Sequence, residues 1–598
     1  MLHFRGQHSS ATDGSSAKSS LGAAAVPLAA IAALVGLLLG CMGRPSAGDV
    51  PPAAAMVTAR AAAAAAAAFP QEDPRPFAFG MEYVFPINAS TNGYKIAHHY
   101  RELGATWAKF NGPGTHWDDI EPDPPVAGVH RYQWRLVDEA VRALQGAGFP
   151  YLTIVIGPRS KWGCRGEEGF FSQLKVKLAA SPPKDEHWGD YLAWVEAFVE
   201  RYDMDGVDDM PGLKVPVRHY EILTEAQGEV CWRGTVEQYV ELLRRSHAAA
   251  KRANPDTKII LSGFWFADLF DKGPLSDAEI ERKLRTAPSQ YPANDVRHKT
   301  TQQFRGIIDF NKRILEEKDY FDEVEFHLLS NYTAVEGTVD WIRRRMKENG
   351  YSKPIWVGDG GALTQIPCHN RKGMMAAFTT FNQFEPALYD DGDVIYEVLT
   401  GGKSAGGYTH AQVRAWFYKD QACYLAKSLI TEMGLKLAGT NIYTWLDGKP
   451  NTLMSGAMRN WQIGGLREGN FHPKAVVGLP RPSFYTYKMI IDRLGQFSDA
   501  EKVAHADTRL KGYRFTVAGR PIYALWLDDG VAQKPGQEEA AAKIDLSSLL
   551  PHDRVRSIRI ITEYGRTQPT VETMPAGDFL LTETPVLVEA ADSPRRSF

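Results

Sequence analysis

Cysteine is scarce in this chain, and the two signs of charge nearly cancel. Only 5 of the 598 residues are cysteines, their spacing matches no zinc pattern, and none lies at ligand intervals from histidines. The sequence therefore predicts no metal and no cofactor. Lys and Arg together number 68 against 71 Asp and Glu, which gives a net charge of -3. This balance leaves no broad basic face and argues against nucleic acid as a partner.

The first 75 residues carry the pattern of an export signal rather than that of a folded domain. Arg5 and Lys18 precede an apolar segment that ends in Leu-Leu-Gly before Cys41. This ending resembles a bacterial lipoprotein signal, which implies lipidation of Cys41; the alternative is a helix retained in the membrane. We expect an exported protein, held in the cell envelope or secreted. Residues 1–41 would be the signal or anchor, and the Ala/Pro-rich residues 42–75 a disordered linker.

Four cysteines follow the predicted linker, and an exported protein permits disulfides among them. They are Cys164, Cys231, Cys368 and Cys423. Cys164 and Cys231 follow two neighbouring predicted strands, so a bridge between these two stays open beside the alternative of free thiols.

From Phe77 onward, short apolar strands alternate with amphipathic helices, which predicts a parallel sheet. Eight such units favour a (β/α)8 TIM barrel over residues 76–497. Three long inserts, at 157–187, 264–300 and 360–412, all follow a strand, so they would wall a cleft at one end of the barrel. The predicted strands are Phe77–Tyr83, Thr106–Phe110, Tyr151–Ile156, Arg218–Leu223, Lys258–Ser262, Glu323–Leu328, Pro354–Val357 and Thr440–Trp445.

After a last predicted helix, Ser483–Leu494, only strand patterns remain. Short alternating segments separated by turns, such as Tyr513–Val517 and Ile522–Leu527, predict a small antiparallel β-sandwich domain over residues 498–598. We expect this domain to pack on the barrel as a structural companion.

Two carboxylates are predicted to lie at the C-terminal ends of strands. Glu225 follows the strand Arg218–Leu223, and Asp359 follows the strand Pro354–Val357. Barrel enzymes carry their active sites at these strand ends, and hydrolysis of a glycosidic bond uses a pair of carboxylates. The pair therefore predicts a glycoside hydrolase.

Two further charged residues on predicted strands are ambiguous. Glu221 shares a strand face with Glu225 but lies deeper, and we interpret it as an ion-paired core residue. Lys109 ends the second strand and is either a partner for a carboxylate at the barrel mouth or an ordinary lysine whose head reaches solvent.

These strand motifs resemble clan A glycoside hydrolases, especially those of families 39 and 5. There the fourth strand reads roughly Tyr-Glu-Ile-Trp-Asn-Glu-Pro-Asn, and this chain has Tyr-Glu-Ile-Leu-Thr-Glu-Ala-Gln at 220–227. Their seventh strand reads Pro-Ile-Trp-Val-Thr-Glu, and this chain has Pro-Ile-Trp-Val-Gly-Asp at 354–359. The resemblance implies that Glu225 is the general acid/base, that Asp359 stands at the nucleophile position, and that the substrate is an oligo- or polysaccharide.

Two departures from the family pattern leave the activity open. Thr224 replaces the asparagine that holds the sugar 2-hydroxyl. Asp359 is shorter than glutamate by one methylene, so its carboxylate retracts by about 1.5 Å on an unchanged backbone. A backbone shift would restore a retaining pair, an entering water would give inversion, or activity would be lost. The alternatives to a hydrolase are a carbohydrate-binding protein that has lost hydrolysis and a surface interaction protein that uses the barrel as a platform.

Several side chains near predicted strand ends are candidates for contacts with sugar. Aromatic rings stack on sugar rings, but core packing is an equal explanation for each of them. His327 on the sixth strand either touches the mouth of the barrel or is a hydrogen-bonded core residue. The candidates for substrate binding are Thr224, Lys109, Trp162, Trp232, Tyr332, Trp445 and His327.

Overall fold

The computed structural model of the protein describes residue 70 and residues 72–82, 97–112, 114–166, 180–228, 231–264, 276–279, 281, 301–328, 332–361, 394–395, 397–399, 403–443, 459–463, 466–467, 470–471, 476–531 and 533–593. The predicted signal with Cys41, the linker up to residue 69, Cys368 and Trp445 lie outside the described residues. Among the helices that are described, none combines the length and the apolar character needed to cross a membrane.

Eight parallel strands form one sheet that curves into a barrel. They are β1 (Ala78–Glu82), β2 (Trp107–Phe110), β3 (Tyr151–Ile156), β4 (His219–Ile222), β5 (Lys258–Ile260), β6 (Val324–Leu328), β7 (Ile355–Gly360) and β8 (Gly439–Tyr443). Their order in the sheet is β5-β4-β3-β2-β1-β8-β7-β6. Parallel bridges from Ile260 to Glu323 and from Phe264 to Phe326 join the two ends, which closes the ring.

Helices follow the strands and cover the barrel. The α-helices are α1 (Trp117–Ile120), α2 (Arg135–Ala147), α3 (Trp188–Glu200), α4 (Val236–Ala253), α5 (Thr301–Ile314), α6 (Ala334–Glu348), α7 (His410–Gly434) and α8 (Pro482–Leu494), with 3-10 turns at Ala97–Leu103, Asp185–His187, Lys318–Tyr320 and Ala576–Asp578. Local signals set their ends. Thr235 and Gln238 form a capping box at the start of α4, and Gly148 ends α2 in the left-handed conformation, with φ 100°.

The barrel interior changes from aromatic to charged along its axis. At the N-terminal end of the strands, the ring of Trp107 lies 5.3 Å from Tyr151, 5.1 Å from Trp356 and 4.8 Å from His219, measured between ring centroids. These rings fill the barrel floor, as bulky side chains do in such barrels. Above them, two residues further along β2, the side chain of Lys109 is fully buried. Charge is therefore concentrated towards the C-terminal ends of the strands.

The other strands that the structure describes pair in antiparallel fashion. The strands are β9 (Arg459–Ile463), β10 (Leu466–Arg467), β11 (Asn470–Phe471), β12 (Val476–Pro480), β13 (Phe497–Lys502), β14 (Leu510–Val517), β15 (Arg520–Leu527), β16 (Ala541–Ile544), β17 (Arg554–Arg559), β18 (Thr570–Pro575), β19 (Phe579–Thr582) and β20 (Val586–Ala590). Six of them form a sheet in the order β13-β14-β15-β20-β17-β18. One face of this sheet packs with β16 and β19 through residues such as Leu525 and Leu581. Phe515 and Trp526, on the other face, belong to the same hydrophobic cluster as the barrel residues.

The predicted fold class, a (β/α)8 barrel followed by an antiparallel β-sandwich, is confirmed. The second large sheet begins at Phe497. The predicted domain limits, 76–497 and 498–598, remain predictions.

The disulfide between Cys164 and Cys231 that the sequence left open is not formed. Both are free thiols, as is Cys423. The Sγ of Cys164 donates to the carbonyl of Pro158, whereas the Sγ of Cys231 lies beside Glu225.

Glu432 is a carboxyl group buried between α7 and the barrel wall. It has no exposed surface, and it lies near Thr440 of β8. Burial raises the pKa of Glu432 to about 8, and the neighbouring Thr440 opposes that rise only in part. The folded protein therefore keeps this proton at a pH where the unfolded chain, with a Glu pKa of about 4.3, has lost it.

We expect the free energy of unfolding to fall between about pH 5 and about pH 8 because of Glu432. A raised carboxyl pKa stabilises the fold below the unfolded pKa, and this contribution is lost as the pH rises through the folded pKa. Glu432→Gln keeps the shape of the side chain without the titratable proton. The free energy of unfolding of the variant should therefore fall by a few kcal/mol less over this pH window, because each unit of pKa shift corresponds to about 1.4 kcal/mol. Denaturant unfolding of both proteins at the two pH values measures the difference. Equal losses in the two proteins would contradict it.

Candidate active site

An irregularity in β7 turns Asp359 into the barrel. Trp356 and Gly358 face inward, so simple alternation would turn Asp359 outward. The register of β7 shifts against both neighbouring strands here, opposite Phe326–His327 on the β6 side. Such a bulge re-aims the next side chain. Gly358 is required at this point because a Cβ there would collide with the carboxylate of Glu325.

Two left-handed residues place Glu225 at the barrel mouth. β4 ends at Ile222, and then Leu223 and Glu225 adopt φ values of 62° and 48°. Each such conformation costs a non-glycine residue about 1–3 kcal/mol, and this strain is typical of functional sites. Glu225 is therefore placed by the turn after the strand, and not by the strand alternation that the sequence suggested. Thr224 lies between the two left-handed residues and is half-buried.

Lys109 lies at the centre of the carboxylates inside the barrel. Its side chain is fully buried, and its Nζ lies 2.9 Å from Glu221, 3.5 Å from Asp359 and in direct contact with Glu325. Burial alone would lower the pKa of Lys109, but Glu221, Glu325 and Asp359 together raise it well above its usual value. Lys109 is thus a fixed cation inside the barrel, and its head does not reach solvent.

His327 bridges the two carboxylates that the sequence singled out. Its Nδ1 lies 2.7 Å from Oε1 of Glu225 and 3.6 Å from Oδ2 of Asp359, and its Nε2 lies 3.2 Å from Oε1 of Glu325. Burial lowers the pKa of His327, but the carboxylates outweigh burial and raise it well above the usual value. Oxygens of Glu225 and Asp359 and a ring nitrogen of His327 all lie within 4.8 Å of one another.

The same neighbours keep Asp359 ionised. Burial would raise the pKa of Asp359, but His327 and Lys109 outweigh it and hold the pKa well below the usual range. Glu82, the last residue of β1, also bonds to Asp359, and burial together with Asp359 raises the pKa of Glu82 well above its usual value. The raised pKa favours the protonated form of Glu82 beside the ionised Asp359. The carboxylate of Asp359 is held from three sides.

Glu221 and Cys231 are two further titratable residues at this site, beside Lys109 and Glu225 respectively. Burial and Glu325 raise the pKa of Glu221 to about 7, against the opposing effect of Lys109. The Sγ of Cys231 lies 3.8 Å from Oε2 of Glu225, and burial and Glu225 raise the pKa of that thiol well above its usual value. Cys231 therefore stays a neutral thiol that donates to Glu225.

Three of the aromatic residues that were predicted to contact sugar are described, and each is at least partly buried. Trp162 is partly buried and donates its indole N–H to a backbone carbonyl. Trp232 is 2% exposed, so no face of its ring is open to a sugar, which corrects the prediction for this residue. Tyr332 is 9% exposed and its hydroxyl donates to Asp528 of the β-sandwich at 2.6 Å, which corrects the prediction there as well. Trp445 lies outside the described residues.

Sequence reasoning missed Glu82 and Glu325. Each is an acidic residue within an apolar strand, and both are 1% exposed. A buried charge almost always has a partner, so an acidic residue within an apolar strand is the signal that would have marked them. Glu221 was recognised in that way.

Three groups of described side chains have a spacing that would suit a metal ion: Asp203 with Asp205 and Asp209, outside this site, and two groups within it, Glu221 with Glu325 and His327, and Glu225 with His327 and Asp359. Both groups within the site share His327, and both of its ring nitrogens face carboxylate oxygens that only accept hydrogen bonds. A ring that donates through both nitrogens has no lone pair for a metal, so we assign no metal to these two groups.

Comparison with solved structures finds glycoside hydrolases. A family 39 glycoside hydrolase from the gut symbiont Bacteroides cellulosilyticus WH2 is 14% identical over 86% of this chain and 81% of that chain, with a TM-score of 0.48. A monomeric beta-xylosidase from Caulobacter crescentus CB15 is 14% identical over 86% and 96%, with a TM-score of 0.46. The catalytic domain of GH30 xylanase C from Talaromyces cellulolyticus is 10% identical over 86% and 97%, with a TM-score of 0.44. No family model and no curated protein matches the chain.

Proposed function

We propose that the protein is an exported, retaining glycoside hydrolase that uses Glu225 as general acid/base and Asp359 as nucleophile. The observation that carries the proposal is the separation of the two carboxylates. One oxygen of each lies within 4.8 Å of the other, and both lie near the Nδ1 of His327. Retaining enzymes hold their carboxyl groups about 5–5.5 Å apart, and inverting enzymes about 6.5–9.5 Å.

The bulge in β7 supports the same assignment. The shorter side chain of Asp359 would retract from the sugar on an unchanged backbone. The register shift turns Asp359 inward, which brings its shorter side chain into the mouth of the barrel.

In the first step, an oxygen of Asp359 attacks the anomeric carbon while the bond to the leaving oxygen breaks. Glu225 gives a proton to that oxygen, and the aglycone leaves as an alcohol. Asp359 suits this role because its carboxylate is ionised and is fixed by Lys109, His327 and Glu82.

In the second step, Glu225 takes a proton from water, and the water oxygen attacks the anomeric carbon. The bond to Asp359 breaks and its carboxylate is restored. Two inversions give overall retention.

Turnover of a panel of 4-nitrophenyl glycosides tests the proposal. The panel should cover hexoses, pentoses and uronic acids in both anomers. We expect release of nitrophenol from at least one of them, and no release from any would contradict hydrolysis. Binding of oligosaccharides without turnover would select the second candidate, a carbohydrate-binding protein, which is favoured by the substitution of Asn by Thr224.

A further inference from the structure

His327 faces acceptors at both of its ring nitrogens. Nδ1 lies 2.7 Å from a carboxylate oxygen of Glu225, and Nε2 lies 3.2 Å from a carboxylate oxygen of Glu325. When Glu225 and Glu325 are both ionised they only accept hydrogen bonds, and each ring nitrogen then donates. A ring with two N–H groups is an imidazolium. The geometry therefore places a proton between the ring and Glu225, on the side of the ring.

This arrangement raises a question about the acid step. A general acid must carry a proton when the leaving oxygen departs. In the structure, Oε1 of Glu225 lies 2.7 Å from Nδ1 of His327, and Oε2 lies 3.8 Å from the thiol of Cys231, which donates weakly. The proton in closest reach of Glu225 is that on Nδ1 of His327.

We propose that His327 is the proton reservoir of Glu225, passing its Nδ1 proton to Oε1 as the glycosidic bond breaks and taking it back in the second step. His327 acts through Glu225 and does not touch the reacting atoms, so it is a positioning residue that also supplies a proton. This inference rests on the proposed function.

The surroundings of His327 suit a reservoir. Three carboxylates face the ring: Glu225 from the end of β4, Glu325 from its own strand and Asp359 from β7. They favour the cationic ring, and their effect on the pKa of His327 outweighs burial and the opposing charge of Lys109 from β2.

The position of the ring is fixed by its contact with Glu325 and by the space beside Gly263. A Cβ at Gly263 would collide with Nε2. Glu221 of β4 adds a more distant negative charge, since it interacts electrostatically with His327. A ring held in this way returns to the same contact with Glu225 after each turnover.

The proton count balances over the cycle. In the first step, the imidazolium loses one proton to Glu225, and Glu225 gives one proton to the leaving oxygen. The anomeric carbon exchanges its bond to that oxygen for a bond to Asp359. In the second step, Glu225 takes one proton from water and returns one to the neutral ring. No other reactant is needed.

The test compares two leaving groups on one sugar, the one that the wild-type protein turns over. A methyl glycoside needs a proton on its leaving oxygen, whereas a 2,4-dinitrophenyl glycoside does not. We expect His327→Gln to slow the methyl glycoside by about 10²-fold or more, within the range of general acid catalysis. The first step on the dinitrophenyl glycoside should slow by less than about tenfold. The loss on the methyl glycoside should shrink as the pH falls, because solvent can then supply the proton that the ring no longer gives.

A matched control exists at the other end of the barrel. His219 of β4 lies 3.6 Å from Glu323, so His219→Gln also removes a histidine from a contact with a carboxylate. We expect this variant to hydrolyse both substrates at the wild-type rate.

Three outcomes are informative. Selective loss on the methyl glycoside supports the reservoir. Equal slowing of both substrates by His327→Gln overturns it and leaves the hydrolase standing. Absence of turnover by the wild-type protein removes the hydrolase and, with it, the reservoir. If the variant does not fold, neutron diffraction of the wild-type protein decides, since a single deuteron on the His327 ring would contradict the proposal and two would support it.

Discussion

Asp359→Asn should abolish hydrolysis of the most reactive aryl glycoside as well as that of the least reactive one. The amide keeps the shape and the contact with Lys109 but lacks the negative charge that attacks the anomeric carbon. Loss of a nucleophile costs several orders of magnitude in kcat, and we expect a fall of at least about 10⁴-fold. Initial rates on the 2,4-dinitrophenyl glycoside measure it, because no acid assistance limits that substrate.

Asp322→Asn is the matched control for that variant. Asp322 is a half-buried carboxylate just before the N-terminal end of β6. Its Oδ2 lies 3.0 Å from the Nζ of Lys251. We expect Asp322→Asn to keep wild-type activity. Addition of azide to Asp359→Ala should restore turnover and give a glycosyl azide of inverted configuration, since the anion attacks from the vacated side. Wild-type rates in Asp359→Asn would exclude this residue as nucleophile.

Glu225→Gln should separate the two steps. The amide cannot give a proton, so hydrolysis of alkyl glycosides should fall by about 10²–10⁴-fold. On a 2,4-dinitrophenyl glycoside the first step still proceeds, but the second lacks its base. We therefore expect a burst of one dinitrophenol per protein molecule, followed by slow turnover.

Glu323→Gln controls for the removal of a carboxylate beside a histidine, because Glu323 lies 3.6 Å from His219 at the barrel floor. Glu323→Gln should show neither the burst of dinitrophenol nor the loss of alkyl glycoside hydrolysis. Azide should accelerate Glu225→Gln and give a glycosyl azide of retained configuration. A variant that slows alkyl and dinitrophenyl glycosides alike, with no burst, would show that Glu225 is not the acid/base.

The barrel could be predicted because its signals are local. Each strand is a short apolar run, and each helix carries its own stop or start, as at Thr235 and Gln238. The repetition of eight such units then favours a closed ring. Asp359 and Glu225 could be placed near strand ends for the same reason.

The details of the site could not be predicted, because they depend on pairing between distant segments. The register shift that turns Asp359 inward arises where β7 pairs with β6 and β8, and no local sequence pattern predicts it. The left-handed turn at Leu223 and Glu225 is a strained conformation that side-chain alternation does not foresee. The contacts of His327 with three carboxylates likewise require the closed barrel.

For the aromatic candidates, composition predicts more sugar-binding residues than the packing allows. Composition marks an aromatic residue near a strand end as suitable for a sugar, but packing decides whether its face is open. The β-sandwich covers Tyr332 through Asp528, and Trp232 is buried in the loop before α4. Neither the contact of Tyr332 nor the burial of Trp232 can be predicted from the neighbouring residues in the sequence.

The most direct measurement is the configuration of the first sugar released by the wild-type protein, followed by ¹H NMR before the anomers equilibrate. Two acids this close together leave no room for a water opposite the leaving group, so the anomer of the substrate should appear first. Appearance of the opposite anomer would mean that water attacks directly, and that Asp359 never bonds to the sugar.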